Sequence, residues 1–580
     1  MTSSLTVLVP LGGTLEPASS SPARSQFTSP CFAPASGVDA LGSNSTGGAG
    51  PRLPNPYSMT RSDGVSALIM FGLGFLFWWW LWPSRRTYAA DWATGSVAVT
   101  AVHAPGVVVP LFFGLALAAS LTYFHVRGLR LTWAGIVGAV AIMVASLPFA
   151  LYATQPIFLP LFGLILVATV LWHGLAAGAL LAERPGADLV IDLVNQGLAV
   201  PFSNFGAAPA AVKELIGGRA RLGQVVIGVV GVLIGLPVFA VVVSLLASAD
   251  QGFDSLLSRV GEALAGVDIV SVWWRLAMAI PTSMYLVGLA WGNAHRRGRG
   301  AVSREAAHGV AALLRRVPPT LVAAPTMILC LIYLVFFAAM GTYLFSAFSG
   351  ALPADLTYSG YARRGFFELA GVATINLGVI GFTYLFARRE TAYPLVLRVV
   401  GACLSGLTEL LIATAISKMV LYVSAYGLTR LRLITLVFMV FLAVVFILVA
   451  AWHVKAFRVS GVVVILTVVT LVGLCWGDID GLVARFNVDR YLSGQVSQID
   501  LDYLSDGLSE ASIPALIDLA DRTSDPTVHR QVEHKLSTAT IYGVPLTADG
   551  PSGQVNWDRQ APWTAWNLQS WLAQRELERR

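Results

Sequence analysis

Glu409 stands near the middle of an apolar run, 396–424, where a carboxylate is costly unless it is paired or put to use. Arg398 lies eleven residues earlier, within about 20° of the same helical face but about 16 Å away along the axis, too far to pair. Lys418, nine residues after Glu409, falls on the opposite face, where it is expected to snorkel toward an interface. A partner for Glu409 must then come from another segment. Arg275 in 269–291 is the opposite charge and Asn376 in 366–387 the neutral alternative. Two readings stay open: a proton or cation site in a transport path, or a protonated or ion-paired group that fixes helix register.

Other residues carry weaker chemical signals. Arg363, Arg364 and Glu368 gather at the mouth of one apolar run, with Arg364 and Glu368 four apart on one helical face. Paired arginines suit an anionic headgroup or substrate, and suit anchoring of a helix end equally well. Arg430 and Arg432, after Tyr426-Gly-Leu-Thr, fall under the same argument. His173 has no second ligand at helical spacing, which favours a hydrogen-bonded interior residue over a metal ligand. Asp478/Asp480 and Asp500/Asp502 form Asp-x-Asp pairs, a pattern used for divalent metals and, more often, for helix capping. Cys31, Cys330, Cys403 and Cys475 lie far apart and form no zinc or disulfide pattern. No Walker loop, HExxH or Gly-x-Ser-x-Gly occurs, so neither a cofactor nor a metal is expected.

The elements that must position these residues are long apolar runs. They lie at 65–82, 107–124, 131–152, 156–182, 222–247, 269–291, 320–348, 366–387, 396–424, 434–452 and 459–476. About 18 apolar residues in a helix cross the ~30 Å hydrocarbon layer. Only 12% of the chain is charged, against about 25% in soluble domains. The expected fold is an all-α polytopic transmembrane helix bundle, with a small soluble helical C-terminal region and the lipid bilayer as its partner.

Charge is unevenly placed. From Asp478 onward there are 15 Asp and Glu against nine Lys and Arg, a net of −6; with a whole-chain charge of +6, the preceding residues carry +12. Connections after the even-numbered runs hold 16 Lys and Arg, and those after the odd-numbered runs seven. The positive-inside rule then puts the N-terminus in the cytoplasm and residues 478–580 outside. No basic patch is interleaved with stacking aromatics in a soluble segment, so nucleic acid is not an expected partner.

Residues 1–63 are rich in Ser, Thr, Gly, Pro and Ala and read as a disordered tail; Met59 is an alternative start. Residues 64–477 form the multi-span domain. Residues 478–580 read as short helices, with Pro514 and Pro526 at first helical positions and Trp563, Trp566 and Trp571 near the end. Those aromatics suit a small core or the membrane surface. The long polar stretch after 156–182 reads as a connection. Pro148, Pro160, Pro237, Pro281 and Pro325 in or near the runs read as helix kinks within an ordinary bundle.

Three stretches together carry a family likeness. They are Leu356-Thr-Tyr-Ser-Gly-Tyr-Ala-Arg-Arg-Gly-Phe-Phe-Glu-Leu369 leading to Ile375-Asn-Leu, Ser417-Lys-Met-Val-Leu-Tyr-Val-Ser-Ala-Tyr-Gly-Leu-Thr-Arg-Leu-Arg432, and Phe486-Asn-Val-Asp-Arg-Tyr491 followed by Ile499-Asp-Leu-Asp-Tyr-Leu504. In this order they resemble a bacterial membrane family, domain of unknown function 4173, with its close sister 4153, over roughly Leu222 to Leu519. The resemblance implies a multi-span protein of the bacterial cell envelope and brings no catalytic residues.

Three functions follow as expectations. The first is a non-enzymatic, transporter-like permease or a membrane component serving one. The second is a sensory or regulatory scaffold with a protein partner on residues 478–580. The third is a membrane-embedded transferase relying on Asp91 or on Asp500/Asp502. An inverted repeat, one mark of secondary transporters, is not evident.

Overall fold

Thr60 starts the first helix, α1 (Arg61–Leu76). Its hydroxyl accepts from the Asp63 N–H while the Asp63 carboxylate accepts from the Thr60 N–H, a reciprocal capping box. A π turn, Phe77–Leu81, carries the helix into its tryptophans. The computed structural model describes residues 59–81, 84–86, 101–103, 105–153, 155–180, 188–216, 269–298, 302–345, 366–388, 394–541, 544–545 and 563–580, with scattered helical positions within 228–246. The tail at 1–58, most of the expected span 222–247, and Asp91, Arg363 and Arg364 lie outside the described residues.

The helices follow the apolar runs closely. After α1 come α2 (Val108–Val126), α3 (Trp133–Ser146), α4 (Pro148–Leu151) and α5 (Phe158–Ala176). Pro148 at the start of α4 interrupts the third run. Next are α6 (Asp188–Val194), a π turn at Asn195–Ala199, α7 (Val200–Ser203) and α8 (Ala207–Ile216). Then come α9 (Ile269–Ala294) and α10 (Arg304–Leu314), followed by α11 (Pro319–Phe345), α12 (Phe366–Phe386), α13 (Leu395–Tyr426), α14 (Arg430–Val454) and α15 (Val459–Trp476). The C-terminal helices are α16 (Ile479–Leu492), α17 (Ile513–Arg522), α18 (Pro526–Ser537) and α19 (Leu568–Glu578). Two short antiparallel strand pairs, Ser84–Arg86 with Ala101–His103 and Thr540–Ile541 with Val544–Pro545, are minor features of an all-α fold.

Nine helices among the described residues are long and apolar enough to cross a membrane. The protein is a polytopic membrane protein. Ile269–Ala294 forms a further helix of 26 residues over the sixth expected run; it carries Arg275, Thr282, Ser283 and Asn293 and is correspondingly less apolar.

Two helix groups have separate cores. The first joins α1, α2, α3, α4, α5, α8 and α9 around Phe113, Leu161, Ile165 and Trp172. The second joins α11, α12, α13 and α14 around Leu404, Leu411, Ile412 and Phe446. In the first group α1 and α9 cross so closely that a Cβ on Gly74 would overlap Ser283, backbone included. Gly288 on α9 likewise lies against the Pro201 carbonyl.

The stretch 188–216, expected to be a polar connection, is instead helical and packed against α9, α1 and α5. Its buried polar groups Asn195 and Gln196 are matched. Asn195 is bonded through both ends of its amide to the Val302 backbone, and Gln196 accepts from Asn293 Nδ2 at 2.8 Å. Ala207, Ala208 and Ala211 bury the remaining face. A polar sequence reads as a water-facing loop only if its polar groups lack internal partners, and these have them.

Residues 57–580 form one compact unit. The C-terminal helices build a core of their own from Val483, Val488, Leu504, Leu516, Leu519 and Val532, completed by Leu428 from the α13–α14 turn. Pro514 and Pro526 stand in the first turns of α17 and α18, the latter capped by Asp525, as their positions predict. The final segment is tied to the first group: Trp563 meets Trp80 edge-on, Gly106 and Val107 donate to the Thr564 and Trp566 carbonyls, and Gln569 Oε1 accepts from Ala153 N.

Candidate functional site

Buried polar groups in the second helix group form a short directed chain. Tyr333 on α11 donates its hydroxyl proton to Asn376 Oδ1 at 2.8 Å, and Asn376 Nδ2 donates to Thr408 Oγ1 at 2.8 Å. Thr408 in turn donates to the Leu404 carbonyl of its own helix. Three helices, α11, α12 and α13, are thereby linked by side chains that are at most 9% exposed. Each side chain donates to the next group along the chain, which ties the three helices together and fixes their register.

Glu409 follows Thr408 in sequence but lies about 100° further round α13. It is half-buried, and its Oε2 is buried without a hydrogen-bond partner among the described residues. The expected pairing with Arg275 is not made. Arg275 belongs to α9 in the first group, where its guanidinium stacks 5.4 Å from the ring centre of Trp79 and its Nε is buried without a partner. Asn376 is committed to Tyr333 and Thr408 and does not turn to Glu409. Hydropathy locates a buried charge well but says nothing about which neighbouring helix will face it.

Lys418 departs from expectation more sharply. It does not snorkel to an interface: it is 2% exposed and among the largest fully buried side chains described. Glu368, in the first turn of α12, is the carboxylate that acts on it electrostatically. Helices α12 and α13 are consecutive and packed together, so the start of one meets the late turns of the other. Arg398 sits at the other end of α13, donating from Nε and Nη2 to the His453 and Val454 carbonyls at 2.8 and 2.7 Å. It caps α14, whose last carbonyls lack intrahelical donors.

Arg430 is engaged by the C-terminal region. Its guanidinium forms a bidentate pair with Asp480, 2.6 Å from Nε and 2.5 Å from Nη2, and the Asp480 side chain is fully buried. Asp480 also accepts from Ser509 N at 2.9 Å, and the Arg430 N–H donates to Tyr503 Oη. Beside it, Asn487 clamps the turn by accepting from Leu428 N and donating to the Leu428 carbonyl. Arg432 donates to the Tyr426 and Gly427 carbonyls and stacks on Tyr422. Arg430 and Arg432 are thus both held by protein groups.

The Asp-x-Asp pairs take individual roles. Asp478 caps α16, Asp500 accepts from Tyr503 N, and Asp502 pairs with Lys535. Lys535 also pairs with Asp506, holding that carboxyl below its ordinary range. His173 is interior: Nδ1–H donates to the Thr169 carbonyl, leaving Nε2 to face the Ser120 hydroxyl at 3.0 Å.

Sequence reasoning missed a second polar cluster, at the start of α1. Buried Asp63 accepts from the Tyr123 hydroxyl at 2.8 Å, with Arg127 3.6 Å and His295 3.9 Å away, and Arg127 and His295 are themselves in contact. The Thr-x-x-Asp capping pattern at Thr60 was the available signal; the three partners come from distant segments.

The sequence profile of the family described as domain of unknown function DUF4153 matches residues 138–519, more than half of the chain. The chain belongs to that family. The sequence motifs put family 4173 first and 4153 beside it from about Leu222; the match is to DUF4153 and begins in α3, well before Leu222. The DUF4153 region takes in the Tyr333–Asn376–Thr408 chain, Glu409, Lys418 and the Arg430–Asp480 pair, and leaves Asp63 and the Trp-rich end outside. Searches of curated proteins and of solved structures returned no match.

Proposed function

We propose that this DUF4153 protein is a permease-like protein of the bacterial cell membrane in which Glu409 serves as a proton or cation site. The reading rests on one observation: on the helix α13, where neighbouring Thr408 is bonded to Asn376 and through it to Tyr333, Glu409 Oε2 is buried with no hydrogen-bond partner among the described residues. An unmatched carboxylate oxygen at membrane depth is stabilised by a proton or a cation. The test is ion flux in proteoliposomes carrying the full chain and a trapped pH-sensitive dye. An imposed pH, sodium or potassium gradient should dissipate faster than in empty vesicles, and Glu409→Gln should abolish the difference. Equal dissipation in wild type and Glu409→Gln removes the proposal.

A second reading, a regulatory scaffold with a protein partner on residues 478–580, is favoured by the buried Arg430–Asp480 pair, a rigid link through which that region and α14 would move together. It predicts that an envelope phenotype survives Glu409→Gln and is lost with Asp480→Ala.

A further inference from the structure

Between α3, α5 and α15 lies a cavity of about 820 Å³. Its walls include Ala141, Ile142, Leu164, Ala168, Leu171 and Val472, and the indole faces of Trp172 and Trp476 complete it. All three helices are of membrane-crossing length and apolarity, so the cavity lies at hydrocarbon depth. We infer that this cavity is a binding site for one acyl chain of a bilayer phospholipid.

Three observations select that occupant. The first is chemistry. The wall is apolar, and its two indole N–H groups are already used: Trp172 Nε1 donates to the Gly135 carbonyl and Trp476 Nε1 to the Val144 carbonyl. Water needs two or more polar partners to occupy a cavity and finds none on these side chains. The second is shape. On α5 the wall runs from Leu164 to Leu175, about 16 Å of helix axis, close to half the ~30 Å hydrocarbon layer and so to the length of one leaflet's chains. Its volume is within the ~300–1,000 Å³ range of ligand sites. The third is access. Ile165 and Trp172 form a buried floor, while Val468 and Val469 on the α15 rim are 36% and 61% exposed, which leaves the site open sideways to surrounding lipid.

The site also explains how α15 is held. It packs on α14 and touches α5, and over much of its length it is one of the least buried spans. A chain lying between α15 and the α3–α5 pair supplies the dispersion contacts that side chains there do not.

The test uses the full chain reconstituted in phosphatidylethanolamine and phosphatidylglycerol vesicles doped with a phosphatidylcholine whose acyl chain carries a photoactivatable diazirine. After illumination and proteolysis, mass spectrometry locates the adducts. Wild type should be labelled at Leu164, Leu171 or Val472 and also at Leu159, which is 77% exposed on the outer face of α5 and reports ordinary contact with the bilayer. Ala168→Phe and, independently, Gly473→Phe fill the cavity and should reduce the wall adducts to background while Leu159 labelling persists, which also shows that the variants are folded. Wild-type labelling at Leu159 without the wall adducts overturns the inference. So does undiminished wall labelling in both filled variants.

Discussion

In the first helix group, the clusters of charged and amide side chains lie near helix ends. Asp63, Tyr123, Arg127 and His295 meet where α1 begins and α2 and α9 finish, and Gln196 meets Asn293 nearby. In the second group they lie deeper: Tyr333, Asn376 and Thr408 join three helices mid-span, with Glu409 and Lys418 on the same α13. A group near a helix end has water and headgroups within reach, so its arrangement tolerates imperfect pairing. A mid-span group has only protein or a bound ion. The second group is therefore where one unmatched atom, Glu409 Oε2, is chemically informative.

The largest expected effect is at the joint between the second group and the C-terminal region. Asp480→Ala leaves Arg430 without its buried partner, and breaking such a pair costs about 3–5 kcal/mol. Residues 478–580 should then become protease-sensitive in membranes at temperatures where wild type resists. Unchanged proteolysis would mean that the apolar core around Leu428 and Val483 holds the region alone.

Within the first group the sharper test is packing. Gly74→Ala forces a methyl into Ser283 and its backbone on α9, at a cost of about 1–3 kcal/mol. A lowered thermal midpoint in detergent is expected; wild-type stability would show that α1 and α9 part easily. For the second group, Asn376→Ala removes two side-chain bonds at once and should cost about 1–2 kcal/mol, since hydrogen bonds between membrane helices are modest. An effect confined to flux, with stability unchanged, would move Asn376 from the packing lock into the transport path.

The smallest effect is outside the membrane. Lys535 holds Asp506 below its ordinary range, so the stability from this pair is fully present above the unfolded carboxyl value of about 4 and is lost as pH falls through the lowered folded value. Lys535→Met should flatten that acid limb by lowering the midpoint slightly at neutral pH and leaving it unmoved in acid, a small effect because the pair is exposed.

Several features were legible in the residues alone. The run 396–424 became Leu395–Tyr426 and 459–476 became Val459–Trp476, because a span is set by local apolarity and length. Pro514, Pro526 and Asp525 marked helix starts because proline's fixed φ and a carboxylate cap act within one turn. The stretch 188–216 was misread because its Asn and Gln look solvated until their partners at Val302 and Asn293 are known.

By itself, then, the amino-acid order determined that this is a multi-span helical membrane protein, where its membrane-length helices run, and that Glu409 is an uncommon charge within one of them. Tertiary structure decided the partners: Asp480 for Arg430, Trp79 for Arg275, Tyr333 and Thr408 for Asn376, and the burial of Lys418. The division has a physical cause. Partition into lipid is additive along a local stretch, whereas a hydrogen bond or ion pair depends on two atoms meeting within about 3 Å, and here those atoms come from residues tens to hundreds of positions apart.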